Sequence, residues 1–145
     1  MGGVHTFPIR VYYEDTDAAG IVYYANYLKF AERARTEMLR DLSIESEALM
    51  EKSGLTFAVR KCSVDFIKPA RLDDMLSVET RLMKIGGASV VADQRVKLKA
   101  ADLVRMEMKL ACMSLDGRAA RLPAEIKSRL QAFGYQGQSK QRRKK

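Results

Sequence analysis

Between residues 24 and 42 apolar side chains return every three or four positions: Tyr27, Phe30, Ala31, Ala34 and Met38 fall on one helical face. Lys29, Glu32, Arg33, Thr36, Glu37 and Arg40 fall on the other. An amphipathic helix lying against a sheet is predicted there. A shorter helical piece over 45–53 closes at Gly54, a residue suited to a left-handed helix end. After it the period changes to two. Over 76–85, Leu76, Val78 and Leu82 alternate with Ser77, Glu79 and Arg81; over 89–98, Val90, Ala92, Val96 and Leu98 alternate with Ser89, Asp93, Arg95 and Lys97. Gly86-Gly87 between them is expected to supply the positive φ values of a tight hairpin turn, which makes the two strands antiparallel neighbours.

A third alternating run sets Val104, Met106, Met108, Leu110 and Cys112 opposite Arg105, Glu107 and Lys109, and closes near Asp116-Gly117. The run over 57–66 is less regular: Ala58, Cys62, Val64 and Phe66 keep phase while Phe57 and Val59 do not, which points to a bulge or to burial on both faces. Pro69 should end that strand. With a first strand over 7–14 and a short last helix over 123–133, the order is strand, helix, four strands. The fold class is therefore α+β, an antiparallel five-stranded sheet with one long helix. Such a sheet leaves open edges, and a symmetric dimer joining two sheets would bury them.

Composition narrows the function more than the fold. The chain has 145 residues with 47% hydrophobic content, enough for one domain, 1–135, with a modest core. It contains no apolar run near the ~20 residues needed to cross a bilayer, and its first ten residues lack the apolar stretch of a signal peptide, so a cytoplasmic location is expected. Cys62 and Cys112 lie in apolar strand contexts without CxxC spacing and are expected to be buried free thiols. The sole histidine, His5, is expected in a frayed terminus, which argues against a histidine-based triad and against the usual zinc ligand sets. The formal charge is +8, and Lys140, Arg142, Arg143, Lys144 and Lys145 supply five of those charges. The basic tail over 136–145 is expected to be solvated and disordered. Gln and Ser but no aromatics interleave it, so it lacks a stacking surface and no specific nucleic-acid partner is expected.

Candidate chemistry collects just before the long helix, where Asp15, Asp17 and Gly20 occupy a turn. The first turn of a helix carries unpaired N–H groups and about half a unit of positive charge, both suited to a developing oxyanion. A carboxylate beside it suggests acyl transfer. Taken alone, the same acidic turn could simply cap backbone donors.

The residues themselves resolve this choice by resemblance. Arg10-Val11, then Thr16-Asp17-Ala18-Ala19-Gly20-Ile21-Val22-Tyr23, resembles the active-site signature of the 4-hydroxybenzoyl-CoA thioesterase branch of hotdog-fold proteins. The continuation through Tyr27, Glu32, Arg33, Ala34, Arg35 and Leu39, then Val59-Arg60-Lys61 and Pro69-Ala70-Arg71-Leu72-Asp73-Asp74, is similar to the Tol-Pal-associated acyl-CoA thioesterases. The resemblance implies a hotdog fold, in which the sheet wraps around the long helix, and hydrolysis of an acyl-CoA thioester. It makes Asp17, which follows the signature Thr, the catalytic carboxylate, acting as nucleophile or general base, and leaves Asp15 as the natural control.

The backbone N–H of Tyr24 would be the oxyanion donor. Several Tol-Pal-associated members carry histidine at that position, but any residue except proline supplies the N–H. Gly20, Tyr23 and Tyr27 are candidates for substrate contact. Glu32 and Glu37 are rivals for the catalytic carboxylate, because another hotdog branch places it on the helix, but both have basic neighbours at three or four residues, as surface ion pairs do. Arg60, Lys61, Arg71 and Lys84 are candidates for the phosphates of coenzyme A. No metal or redox cofactor is implied. The resemblance also implies a homodimer, assembled further into a homotetramer, a role in lipid metabolism, a link to the Tol-Pal system and acyl carrier protein as a partner. The alternative is an acyl-binding or scaffold protein that keeps the fold without the catalysis.

Overall fold

A computed structural model describes residues 2–134 of the chain; the basic tail over 136–145 lies outside the described residues. The elements are β1 (His5–Arg10), α1 (Asn26–Asp41), α2 (Ser46–Ser53), β2 (Leu55–Phe66), β3 (Met75–Ile85), β4 (Ser89–Leu98), β5 (Ala101–Ser114) and α3 (Ala124–Phe133). The five strands form one antiparallel sheet in the order β1-β3-β4-β5-β2. Helix α1 lies against β1, β3 and β4, the arrangement that the hotdog resemblance implies.

The period-two segments fold as strands because one face of each is covered. Val78, Val96, Val104, Met106 and Met108 meet Tyr27, Phe30, Ala31 and Ala34 of α1 in one core cluster. Met38 and Leu39 continue into a second with Leu82, Val90, Cys112, Ile126 and Leu130, where α3 closes the end of the sheet. The opposite face carries an ionic ladder: Asp102 lies 3.1 Å from Arg105, 3.3 Å from Lys97 and 3.4 Å from Arg95. Polar side chains also sit inside the core. The buried Gln94 accepts a hydrogen bond from Nη1 of Arg35 at 2.9 Å and donates through Nε2 to the Ala31 carbonyl and to Oγ1 of Thr80, both at 3.0 Å. Burial pushes the Arg35 guanidinium below its usual range.

Several expectations need correction. The first strand stops at Arg10, where its last partner on β3 is Met75, and the chain curls into a 3-10 turn at Tyr13–Asp15 instead of running on to residue 14. His5 is not frayed: it pairs with Thr80 of β3, and its Nε2 lies 2.8 Å from a carboxylate oxygen of Asp41 at the end of α1. The β3–β4 hairpin forms, but neither Gly86 nor Gly87 has a positive φ. A Cβ on Gly86 would stand 3.4 Å from the Ser89 carbonyl oxygen, and the Gly87 carbonyl accepts the Leu122 N–H. Cys62 is exposed, not buried. It sits opposite Met108 on the helix side of β2, and β2 is an edge strand with nothing beyond it in the sheet among the described residues. The irregularity in that strand is a register shift between Val59 and Lys61.

Candidate active site

The segment after β1 is a closed loop built on its own hydrogen bonds. The buried Asp15 accepts the Tyr12 N–H on its carboxylate at 2.8 Å, and its own N–H returns to the Tyr12 carbonyl at 2.9 Å. These reciprocal bonds produce the 3-10 turn. Thr16 then pairs with Val22, the Asp17 N–H reaches the Ile21 carbonyl at 2.9 Å, and the Gly20 N–H reaches the Asp17 carbonyl at 3.0 Å. Gly20 adopts φ +81, a left-handed value that a β-carbon disfavours. Asp17 and Gly20 thus sit at the tip of a small hairpin.

The motif around 69–74 packs onto this hairpin. The Ala70 carbonyl accepts the Val22 N–H, Arg71 bridges Ile21, and Asp73 and Asp74 exchange backbone bonds with Val11. Tyr27 locks the two segments to α1: its phenol accepts the Ala70 N–H at 2.9 Å, and the residue is only 3% exposed. Burial pushes that phenol above its usual range, against the lowering effect of the Ala70 bond. The structure therefore places Tyr27 in the core beneath the loop and not on an open pocket wall.

Asp17 is exposed, and one carboxylate oxygen accepts the Ala19 N–H at 2.9 Å. This is the capping contact an acidic turn would make on its own. Its second oxygen has no hydrogen-bond partner among the described residues. Tyr24 precedes α1, which begins at Asn26 and not at 24, because the preceding turn is closed by short i to i+3 bonds. The N–H groups of Asn26, Tyr27 and Leu28 donate to the carbonyls of Tyr23, Tyr24 and Ala25 at 2.8, 3.3 and 3.2 Å. Among the described residues no side chain caps the helix start. Among the described residues the N–H of Tyr24 has no acceptor. A hairpin carrying a carboxylate oxygen without a partner thus leads directly into a turn carrying an N–H without one.

Aromatic rings surround that turn. Tyr23 and Tyr24 have centroids 4.9 Å apart, and Phe66, at the end of β2, stands 6.0 Å from both Tyr24 and Tyr27. Tyr23, Tyr24 and Phe66 are 47%, 61% and 49% exposed. The sequence pattern gave no sign of Phe66, since only the fold brings the end of β2 to the start of α1. Concavities occur on the outer sheet face near Arg95, beneath α1 near Phe57, between α2 and α3 near Lys52, and beside Lys61, but none of these is lined by Asp17, Gly20, Tyr23 or Tyr24.

The rival carboxylates lie elsewhere. Glu37 pairs with Arg40 at 3.4 Å, and Glu32 is exposed on the solvent side of α1. Of the basic candidates for phosphate contact, Arg71 is tied to the loop through Ile21, whereas Arg60 and Lys61 lie at the β2 bulge and Lys84 on β3.

Comparisons with known proteins agree with the fold. The pattern of the thioesterase-like superfamily matches residues 11–130. The acyl-CoA thioesterase YbgC of Haemophilus influenzae is 43% identical over 124 residues, covering 85% of this chain and 91% of that protein. The acyl-CoA thioester hydrolase YbgC of an Escherichia coli strain is 52% identical over 90 residues, covering 62% of this chain and 66% of that protein. The crystal structure of a probable thioesterase from Bartonella henselae, 36% identical, superposes with a TM-score of 0.80 over 83% of this chain and 100% of that one.

Proposed function

Because the chain belongs to the thioesterase-like superfamily and is a thioesterase, we propose that it hydrolyses acyl-CoA thioesters, with Asp17 as the catalytic carboxylate and the N–H of Tyr24 as the oxyanion donor. The observation that carries this reading is the shared hairpin and turn, which offer an acceptor oxygen and a donor N–H that no other described group uses. Attack on the thioester carbonyl moves an electron pair onto its oxygen, where the Tyr24 N–H and the positive end of α1 stabilise it. Collapse breaks the carbon–sulfur bond, the thiol leaves as free CoA after taking a proton, and water supplies the second oxygen of the acid. Asp17 fits two routes: it attacks the carbonyl itself and water then opens the anhydride, or it takes the proton from the attacking water.

Gly20, lacking a side chain, would let the thioester lie against the backbone, Tyr23 would wall the acyl group, and Tyr27 would back that wall from the core. Arg71 is the basic residue best placed for a CoA phosphate. The exposed aromatics and the open edge of β2 favour a homodimer in which a second copy completes the acyl pocket. A dimer of dimers, an acyl carrier protein partner, the Tol-Pal link, a place in lipid metabolism and a cytoplasmic location belong to the proposal through sequence resemblance alone. Among the described residues no helix is long and apolar enough to cross a membrane.

Thiol-release kinetics on short, long and aromatic acyl-CoAs tests this reading. Turnover of at least one class is expected. Binding of acyl-CoA without turnover across the whole panel would instead favour an acyl-binding or scaffold protein.

A further inference from the structure

One oxygen atom holds both arms of the site. The Asp15 carbonyl accepts the Tyr23 N–H at 3.0 Å and Nδ2 of Asn26 at 2.9 Å. Tyr24 lies between those two donors, and the Asn26 N–H closes the same span by donating to the Tyr23 carbonyl at 2.8 Å. The carboxylate of Asp15 is turned away, to the Tyr12 N–H. Two residues after Asp15 comes Asp17. The arm bearing the carboxylate and the turn bearing the oxyanion donor are therefore tied together through Asn26.

The residue type fits that task. The first turn of a helix favours an acidic side chain, yet α1 has none there. An acid at position 26 would meet the Asp15 carbonyl oxygen with no proton to offer, and would set a negative charge beside the developing oxyanion. Asparagine supplies the donor without that charge. We propose that Asn26 is a positioning residue, whose side-chain amide fixes the Tyr24 N–H relative to Asp17; the proposal rests on the assignment of those two groups above.

Misplacement of a reacting group by about 1 Å can lower a rate roughly a hundredfold. Asn26→Asp is nearly isosteric and suits the helix dipole, so its melting temperature should stay within roughly 5 °C of the parent. Its kcat should fall roughly a hundredfold, with KM changed less than about threefold. Asn26→Ala, which removes the donor without adding charge, should lose roughly tenfold in kcat. Parental kcat in both variants, or a raised KM at unchanged kcat, would overturn the proposal. So would a lowered melting temperature with kcat intact in the folded protein, which is the mark of a purely structural bond. Asp17→Asn measured alongside separates the two levels. If it is fully active, the site assignment itself fails; if it is inactive while both Asn26 variants keep parental kcat, only the positioning role fails.

Discussion

Replacing Gln94 by leucine perturbs a polar network inside the core, and the structure sets the scale of the effect. Gln94 is fully buried and makes a 2.9 Å bond to the Arg35 guanidinium and 3.0 Å bonds to the Ala31 carbonyl and Thr80 hydroxyl. A hydrogen bond to a charged group contributes roughly 1.5–3 kcal/mol and each neutral one about 1 kcal/mol. The leucine side chain recovers about 1 kcal/mol through apolar burial. The expected net loss is about 3 kcal/mol, most of it from leaving the buried guanidinium without an acceptor. Removing the charge as well should relieve that penalty. Arg35→Met combined with Gln94→Leu should therefore cost only about 1–2 kcal/mol, less than Gln94→Leu alone. Equilibrium urea unfolding of the parent, both single variants and the double variant at one fixed protein concentration measures this, since self-association makes stability depend on concentration. A loss below about 0.5 kcal/mol in the single variant, or a double variant that loses the sum of both singles, would refute the reasoning.

Three further outcomes follow from particular contacts. Burial alone would raise the Asp102 carboxyl, but Arg105, Lys97 and Arg95 outweigh it and hold it below the usual carboxylate range. Its contribution is therefore present above about pH 4 and is lost as pH falls through its folded value, and Asp102→Asn should flatten the acid limb of a stability–pH curve. At Cys62, burial pushes the thiol above its usual value against the pull of Arg35, yet the residue is exposed on the β2 edge. A maleimide should label it in the folded protein increasingly fast as pH rises, and Cys112 only on unfolding; if labelling of Cys62 does not slow with rising protein concentration, the β2 edge is not a dimer interface. Tyr27→Phe strands the buried Ala70 N–H and should cost about 1–2 kcal/mol, read as a lower urea midpoint; an unchanged midpoint would show that water replaces the phenol.

The sheet was legible where each strand has one covered face. Val78, Leu82, Val96 and Met108 alternate because α1 and α3 cover their side while the ionic ladder occupies the other. Legibility ended where side chains bond to distant or local backbone. The alternation of Val11 and Tyr13 continues past Arg10, but the Asp15 carboxylate takes the Tyr12 N–H and curls the chain, which leaves no periodic trace. Arg35 reads as an ordinary helical charge, and only Gln94, far along the sequence, explains how it can be buried. Asp17 and Gly20 stood out through their motif. Asn26 and Phe66 did not, because their importance comes from tertiary contacts to Asp15 and to the aromatic turn.

The central claim is that the Asp17 carboxylate acts directly on the thioester while Asp15 only builds the loop. Steady-state thiol release by the parent protein, Asp17→Asn, Asp15→Asn and Glu32→Gln on the preferred acyl-CoA tests it most directly. Asp17→Asn should lower kcat by at least roughly a thousandfold, and Asp15→Asn, which keeps an oxygen for the Tyr12 N–H, should stay within roughly tenfold of the parent. Equal kcat in the parent and Asp17→Asn, or a selective collapse in Glu32→Gln, would contradict it.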